Sequence, residues 1–430
     1  MPSGRTSALV DPVTITLDGE PIPAERGEPV AAALIAAGKL MIARSPKFHR
    51  PRGPSCMRAA CDGCLARVDE TPNVMTCMVA AEEGTTVVSQ NRLGPREVDL
   101  LRMTDWFFPS GMNHHELFAG IPGVQTVMQA FARRVAGLGR MPVEVEAPHP
   151  AVRRVADVVV IGGGPSGMAI ATRLADAGRA VEVIDDQLTV GGGLLALAPP
   201  DARAFEQIRA SFMDQVTRAK LRLRIRTVAG GLYGSDLLVV GPEGAEVLET
   251  RSLVLASGAH DGALAFEGND VPGVMSARAG GALLARGVLA GKRIVVVVSS
   301  GGGPFGESFA RAAGGRAAVT VVHGEPVRVR GSSRPKAVVV RDAKGQETEH
   351  AADVVLIDAP RSPAYELAEQ AGARLAHEPR GFVVRTEEGR IAQGRYAVGE
   401  LTGVPFEAVA IALQATQVAA KIAEEAPARG

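Results

Sequence analysis

Residues 155–187 read VADVVVIGGGPSGMAIATRLADAGRAVEVIDDQ, and this stretch decides the fold. An apolar run, Val158–Ile161, enters Gly162-Gly163-Gly164-Pro165-Ser166-Gly167. A helix-period segment follows to Gly178, and a second apolar run, Val181–Ile184, closes on Asp185-Asp186. The order predicts strand, glycine turn, helix, strand. Gly162 permits the tight turn, Gly164 lets the backbone approach a pyrophosphate with no Cβ in the way, and Gly167 lets the helix pack close to the strand. The unpaired N–H groups at the helix start, around Pro165 and Ser166, then face the pyrophosphate charge. Asp185 ends the second strand, where a carboxylate can accept both hydrogen bonds of an adenosine ribose. With both strands, the helix and the terminal carboxylate in register, the stretch predicts a bound dinucleotide.

Working outward, 430 residues are too many for one core and predict two or three domains. The 50 glycines suit several phosphate loops rather than disorder, because apolar residues still make up 46% of the chain. Formal net charge is zero, so no global field favours nucleic acid or an anionic membrane as a partner. The start, MPSGRTSALVDPV, has no apolar h-region, and no run approaches the roughly 18 apolar residues of a spanning helix. The expectation is a cytoplasmic chain with no membrane span.

Residues 13–38 alternate as a strand, turn at Asp18-Gly19, alternate again and then form a helix-like run, Pro29–Ala37, stopped by Gly38. That order predicts a small β-grasp domain. All four cysteines follow, as Cys56-x4-Cys61-x2-Cys64-x12-Cys77. Three thiolates on one short loop can wrap an edge of an iron–sulfur cluster, with the fourth supplied from the next strand, and this is the plant-type [2Fe–2S] spacing. Zinc is the main rival, although structural zinc sites usually show two separated C-x2-C knuckles and here there is one. Structural thiols or disulfides are the bland alternative, and a cytoplasmic setting argues against disulfides. Arg44, Lys47, His49, Arg50 and Arg52 precede the cluster, as a solvated basic loop or as a seam for a flavin phosphate or a partner.

The segments SPKFHRPRGPSC (45–56), CDGC (61–64) and PNVMTC (72–77), with the flavoprotein body behind them, resemble the α-subunit side of a known group. That group comprises sarcosine oxidase, proline and hydroxyproline dehydrogenase, opine dehydrogenase and hydrogen cyanide synthase, and the resemblance runs from about Val13 to Ala423. It implies an α/β architecture: an N-terminal β-grasp [2Fe–2S] ferredoxin-like domain, then a two-dinucleotide-binding, glutathione-reductase-like flavoprotein fold. The implied boundaries are 1–92 for the cluster domain and 93–152 for a connector. The first part of the FAD domain takes 153–265, a second dinucleotide domain 266–350, and the rest of the FAD domain 351–430. In the connector, Trp106, Phe107 and Phe108 read as an apolar plug, and His114 and His115 as structural.

Further motifs carry the resemblance. Residues 187–195, QLTVGGGLL, resemble the family's segment on the far side of the dinucleotide, which brings in Asp186, Gln187, Gly192 and Gly193, with Gly193 where a glutamine is usual. The run Leu253–His260, with Ser257 and Gly258, resembles the ATGA signature of two-dinucleotide flavoproteins. Asp261, Gly262 and Ala263 replace the family's Glu, Arg and Pro, which implies a weakened phosphate or flavin contact. Arg395-Tyr396-Ala397-Val398-Gly399-Glu400 resembles the YAxGD motif, whose acid bonds the flavin ribityl chain, and the helix after it aims its N-terminal dipole at the isoalloxazine. FAD is therefore expected in the first site, with another adenine nucleotide as the alternative.

A second fingerprint, Gly301-Gly302-Gly303-Pro304-Phe305-Gly306, lies between Ile294–Val298 and Val319–Val322. Its strand ends on His323-Gly324-Glu325, with no carboxylate at the ribose position, so Gly301, Gly303 and Gly306 mark either a NAD site or a retained but empty fold. With no second cysteine pair, dithiol–disulfide chemistry is excluded, and no residue pattern marks a catalytic base. The leading expectation is an electron-transfer α-subunit in a heteromeric complex. An FAD-dependent amine or amino-acid oxidase-type β-subunit would be its partner, with an FMN at the subunit seam as a further carrier. A self-contained NAD(P)H reductase and a non-catalytic scaffold are the alternatives.

Overall fold

The computed structural model describes residues 4–45, 50–91, 150–262 and 264–425, with isolated positions between 121 and 130. Readings placed on Lys47, His49, Trp106, Phe107, Phe108, His114, His115 and Ala263 lie outside the described residues. Strands β1 (Pro12–Leu17) and β2 (Glu20–Glu25) form an antiparallel hairpin. Asp18 and Gly19 both take positive φ, 53° and 84°, the primed turn whose twist matches the strands it joins. Helix α1 (Val30–Ala36) is buried along its whole length, and Gly38 at φ 78° turns the chain out of it. Strands β3 (Leu65–Val68), β4 (Thr71–Met75) and β5 (Thr86–Val88) complete a five-stranded sheet in the order β2-β1-β5-β3-β4. Its inward positions, Val13, Ile15 and Leu17, pack with Leu34, Ile42, Cys64 and Cys77, so two of the cysteines belong to the core itself.

The first nucleotide-binding unit runs through β6 (Val152–Ile161), α2 (Pro165–Asp176) and β7 (Val181–Ile184). Helix α3 (Glu206–Thr217), β8 (Leu221–Arg224) and an antiparallel meander follow, the meander being β9 (Val228–Tyr233), β10 (Asp236–Gly241) and β11 (Gly244–Leu255). Val158 and Val160 pack beneath Ile170 and Leu174 of α2, while Val159 and Ile161 face Leu237 and Leu253. Burial on both faces explains why this strand reads as an unbroken apolar run rather than as an alternation.

β6 begins six residues before Val158, because Val152–Ala156 pair with the first half of β11. There the side chains are charged: Arg154 reaches Glu182 and Glu246 at 2.7 Å each, and Arg224 reaches the same acids at 2.9 and 3.0 Å. A search for apolar runs does not find a strand half held by ion pairs.

The second unit runs through β12 (Val274–Ser276), α4 (Ala277–Ala285), β13 (Arg293–Val298), α5 (Phe305–Ala313), β14 (Ala318–His323) and β15 (Val354–Asp358). Its four strands order as β12-β15-β13-β14. The chain then returns through β16 (Arg390–Ala392), β17 (Arg395–Ala397) and α6 (Ala408–Glu425). β17 joins β11 in parallel, which closes the eight-stranded first sheet, ordered β8-β7-β6-β11-β10-β9 along its main path. By compactness the described residues fall into two units. One takes those of Met1–Glu146 with Leu264–Ser299 and Ala313–Ile357; the other takes Ala147–Ala263, Ser300–Ala312 and Asp358–Gly430. The cluster domain and most of the second nucleotide-binding domain thus share one unit. Among the described residues no helix is long and apolar enough to cross a membrane.

Candidate cofactor sites

Cys56, Cys61, Cys64 and Cys77 are all free thiols, Cys61 half-buried and the others buried. They face one another in two pairs. The hydrogen bond from Cys56 draws the Cys61 thiol down to about 6, and the same contact, with burial, pushes Cys56 up. Cys77 likewise lowers Cys64 and is itself raised. Between the first two ligands, Met57 and Ala59 take left-handed φ of 55° and 61°. The backbone N–H groups of Arg58 and Ala60 consequently turn onto Cys56 Sγ, at 3.5 and 3.3 Å. Amide dipoles aimed at sulfur stabilise thiolate, as a cluster ligand requires. Among the described residues no three Cys, His, Asp or Glu side chains converge on a single metal-ion position. Two facing pairs fit a two-iron cluster better than one tetrahedral zinc.

The loop also depends on Gly63, whose missing Cβ would fall on the carbonyl oxygen of Gly53. Thr76, fully buried, donates its hydroxyl to the Cys64 carbonyl at 2.9 Å and ties the fourth ligand's turn to the third.

The first glycine turn brings the residues singled out around it together. Gly162, at φ 104°, has no room for a Cβ against the Ala256 carbonyl, with the Ser257 amide 3.4 Å away, and a Cβ on Gly167 would strike the Gly162 carbonyl. A Cβ on Gly164 would find only Gly192 Cα, at 4.0 Å. The space beside Gly164 is open, and α2 starts at Pro165 with no side-chain cap on its N–H groups, so a pyrophosphate fits there.

Gly191 donates to the Gly163 carbonyl at 2.9 Å, which folds the Gly191–Gly193 turn over the fingerprint. Gly399, at φ 81°, abuts Ser166 Oγ. Gly258, at φ 70°, leaves β11 beside Ser257, whose hydroxyl donates to the Ala364 carbonyl at 2.8 Å.

Asp185 ends β7 as the sequence implies, and its carboxylate carries two backbone bonds. Oδ2 accepts from Gly163 N at 2.6 Å and Oδ1 from Gln187 N at 2.9 Å. Asp186 is exposed and accepts from Gln187 Nε2 at 2.8 Å.

At the far end Glu400 pairs with Arg361 at 2.6 Å, and the Arg361 guanidinium stacks over Phe305 and Phe406, 4.9 and 5.8 Å from their ring centres. The Cβ missing from Gly193 would meet these same rings, at 3.0 and 3.1 Å. Sequence reading did not single out Arg361, Phe305 or Phe406 for this end of the site. Phe305 sits inside a fingerprint read for its glycines, and Arg361 has no neighbouring motif.

The second turn places Gly301, Gly303 and Gly306 beside a residue the sequence reading passed over. Asp358 Oδ1 accepts from Gly303 N at 2.9 Å, and Oδ2 accepts from Gly306 N at 2.6 Å. Burial pushes the Asp358 carboxyl upward, opposed by the two amides and by Arg361. The signal was available: a lone acid closing the apolar run Val354–Ile357, where the first unit has Ala256 after Leu255.

Comparison with known proteins meets this geometry. Residues 10–92 match the family described as a 2Fe-2S iron-sulfur cluster binding domain, and residues 156–336 match the pyridine nucleotide-disulphide oxidoreductase family. The alpha chain of sarcosine oxidase from Rhizobium meliloti is 32% identical over 314 residues, covering 66% of this chain and 32% of that protein. The matching chain of opine oxidase from Agrobacterium tumefaciens is 30% identical over 158 residues, 33% of this chain and 31% of that one.

The chain is thus similar to the α subunits of the sarcosine oxidase group. The hydrogen cyanide synthase component HcnB of Pseudomonas protegens extends the group, at 29% identity over 127 residues, 27% of each chain. The chain spans about a third or less of the length of these relatives. The fold agrees: the L-proline dehydrogenase structure from P. horikoshii superposes with a TM-score of 0.73 at 21% identity, covering 99% of this chain and 76% of that one. The two matched families supply this chain's cofactors, a [2Fe–2S] cluster and FAD.

Proposed function

We propose that this chain is the electron-transfer subunit of a heteromeric amine or amino-acid dehydrogenase or oxidase. A partner flavoprotein of the amine-oxidase type would take hydride from a secondary amine or amino acid. Bound here, FAD and the cluster supply the redox chemistry. The protein's own part is to hold thiolates and phosphate at fixed places.

The observation that carries this reading is the anchoring of the cysteine loop. Ser276 N, at the start of α4, donates to the carbonyl of Ser55, the residue before Cys56, at 3.0 Å. Arg52 pairs with Asp270 at 3.0 Å. The ligand loop is therefore fastened to the second nucleotide-binding domain at two points, and a fixed donor–acceptor spacing is what an electron-transfer subunit requires. The sarcosine oxidase and opine oxidase relatives are themselves named as subunits of larger enzymes, which supports the same role. An FMN at the seam with the partner belongs to this reading as a further carrier.

The test is anaerobic stopped-flow reduction. Flavin bleaching should require both the partner chain and an amine such as sarcosine or proline. A second reading, a self-contained NAD(P)H reductase, draws on the family match across both glycine turns. It predicts that NADH alone bleaches the isolated chain at turnover speed.

A further inference from the structure

We infer that the second glycine turn is an anion cradle already filled by the chain's own Asp358, and that this domain is thereby closed to nicotinamide dinucleotides. The two turns of this chain provide the comparison. At the first, α2 begins uncapped, the strand beside it runs out into Ala256, the space at Gly164 is open, and the acid that meets the turn, Asp185, takes the Gly163 amide. At the second, β15 ends on Asp358, which is 3% exposed, and both of its carboxylate oxygens are engaged by N–H groups of the turn. A glycine-rich turn and helix start offer their amides to a pyrophosphate. Here an internal anion holds the amides of Gly303 and Gly306.

A dinucleotide would have to displace that carboxylate or lie beside it, and two anions in a buried site repel strongly. The approach over Gly303 is covered as well, because a Cβ there would coincide with the Arg361 guanidinium. Arg361 is no spare phosphate ligand, since it is paired with Glu400 and stacked on Phe305. β14 ends on His323, so the ribose position also lacks its acid. The domain keeps the task of carrying the cluster loop through Asp270 and Ser276. This inference concerns binding, and it stands whichever partner or substrate the complex has.

The test uses the full chain loaded with flavin and cluster, so that the first site is filled. NADH binding is followed by calorimetry and by nicotinamide fluorescence, for wild type and for Asp358→Ala, which gives the second turn the residue found at the first. The expected result is no binding to wild type and a gain of at least about tenfold in affinity on substitution. Binding of NADH to wild type, or no gain in a folded Asp358→Ala chain, overturns the inference. If that variant does not fold, hydrogen exchange in wild type decides the point. The Gly303 and Gly306 amides should be protected without nucleotide and unchanged by NADH, and protection that arises only with NADH overturns the inference.

Discussion

Gly63 and Gly167 show how single atoms govern the two cofactor sites. Each stands where a Cβ would collide with a backbone carbonyl, and backbone cannot move aside as a side chain can. Gly63→Ala should cost roughly 1–3 kcal/mol and spread the cysteine loop. Iron and sulfide analysis would then fall well below the two of each expected per wild-type chain, while bound flavin stays unchanged. Gly167→Ala should do the reverse: iron content holds, and the dinucleotide is lost on gel filtration. The Asp157–Arg179 pair gives a pH prediction. Arg179 donates to both Asp157 oxygens, at 2.9 and 2.7 Å, and holds that carboxyl below its usual value. A lowered folded-state value means stabilisation present above the unfolded value of about 3.9 and lost as pH falls through the folded one. Asp157→Ala removes the bidentate partner of a buried guanidinium, so it should cost roughly 3 kcal/mol at pH 7. In thermal melts the gap to wild type should narrow below about pH 4.

The elements were legible where apolar period and turn chemistry agree. The Asp18-Gly19 hairpin, α1 and its Gly38 stop, and both glycine turns lie within about two residues of their expected places, a normal uncertainty for element ends. What the sequence did not yield was long-range pairing. The first half of β6 is a strand because Arg154 and Arg224 meet Glu182 and Glu246, which lie 22 or more residues away along the chain. The partners of Glu400 and of the second turn, Arg361 and Asp358, are likewise brought in by the fold. Motif reading finds cradles; it does not show what already lies in them. Arg52→Ala tests the fastening at the element level. It should leave iron content intact and raise hydrogen exchange across residues 52–56, since the 3.0 Å bond to Asp270 is lost and only the Ser276 tie and the looser Arg50–Asp270 contact, at 3.7 Å, remain.

At the scale of the molecule, most of the second nucleotide-binding domain shares a compact unit with the cluster domain, and its glycine turn, which belongs to the other unit, holds an internal carboxylate. Both features favour a chain that receives electrons from a companion over one that takes them from nicotinamide. The partner, and with it the substrate, would then be selected on a chain other than this one. The most direct test is the paramagnetic signal of the reduced [2Fe–2S] centre, recorded by electron paramagnetic resonance after anaerobic mixing. It should remain absent when the isolated chain meets NADH or an amine, and appear within one catalytic cycle once the partner chain and amine are both present. A full signal from the isolated chain with NADH alone, at turnover speed, would contradict the account.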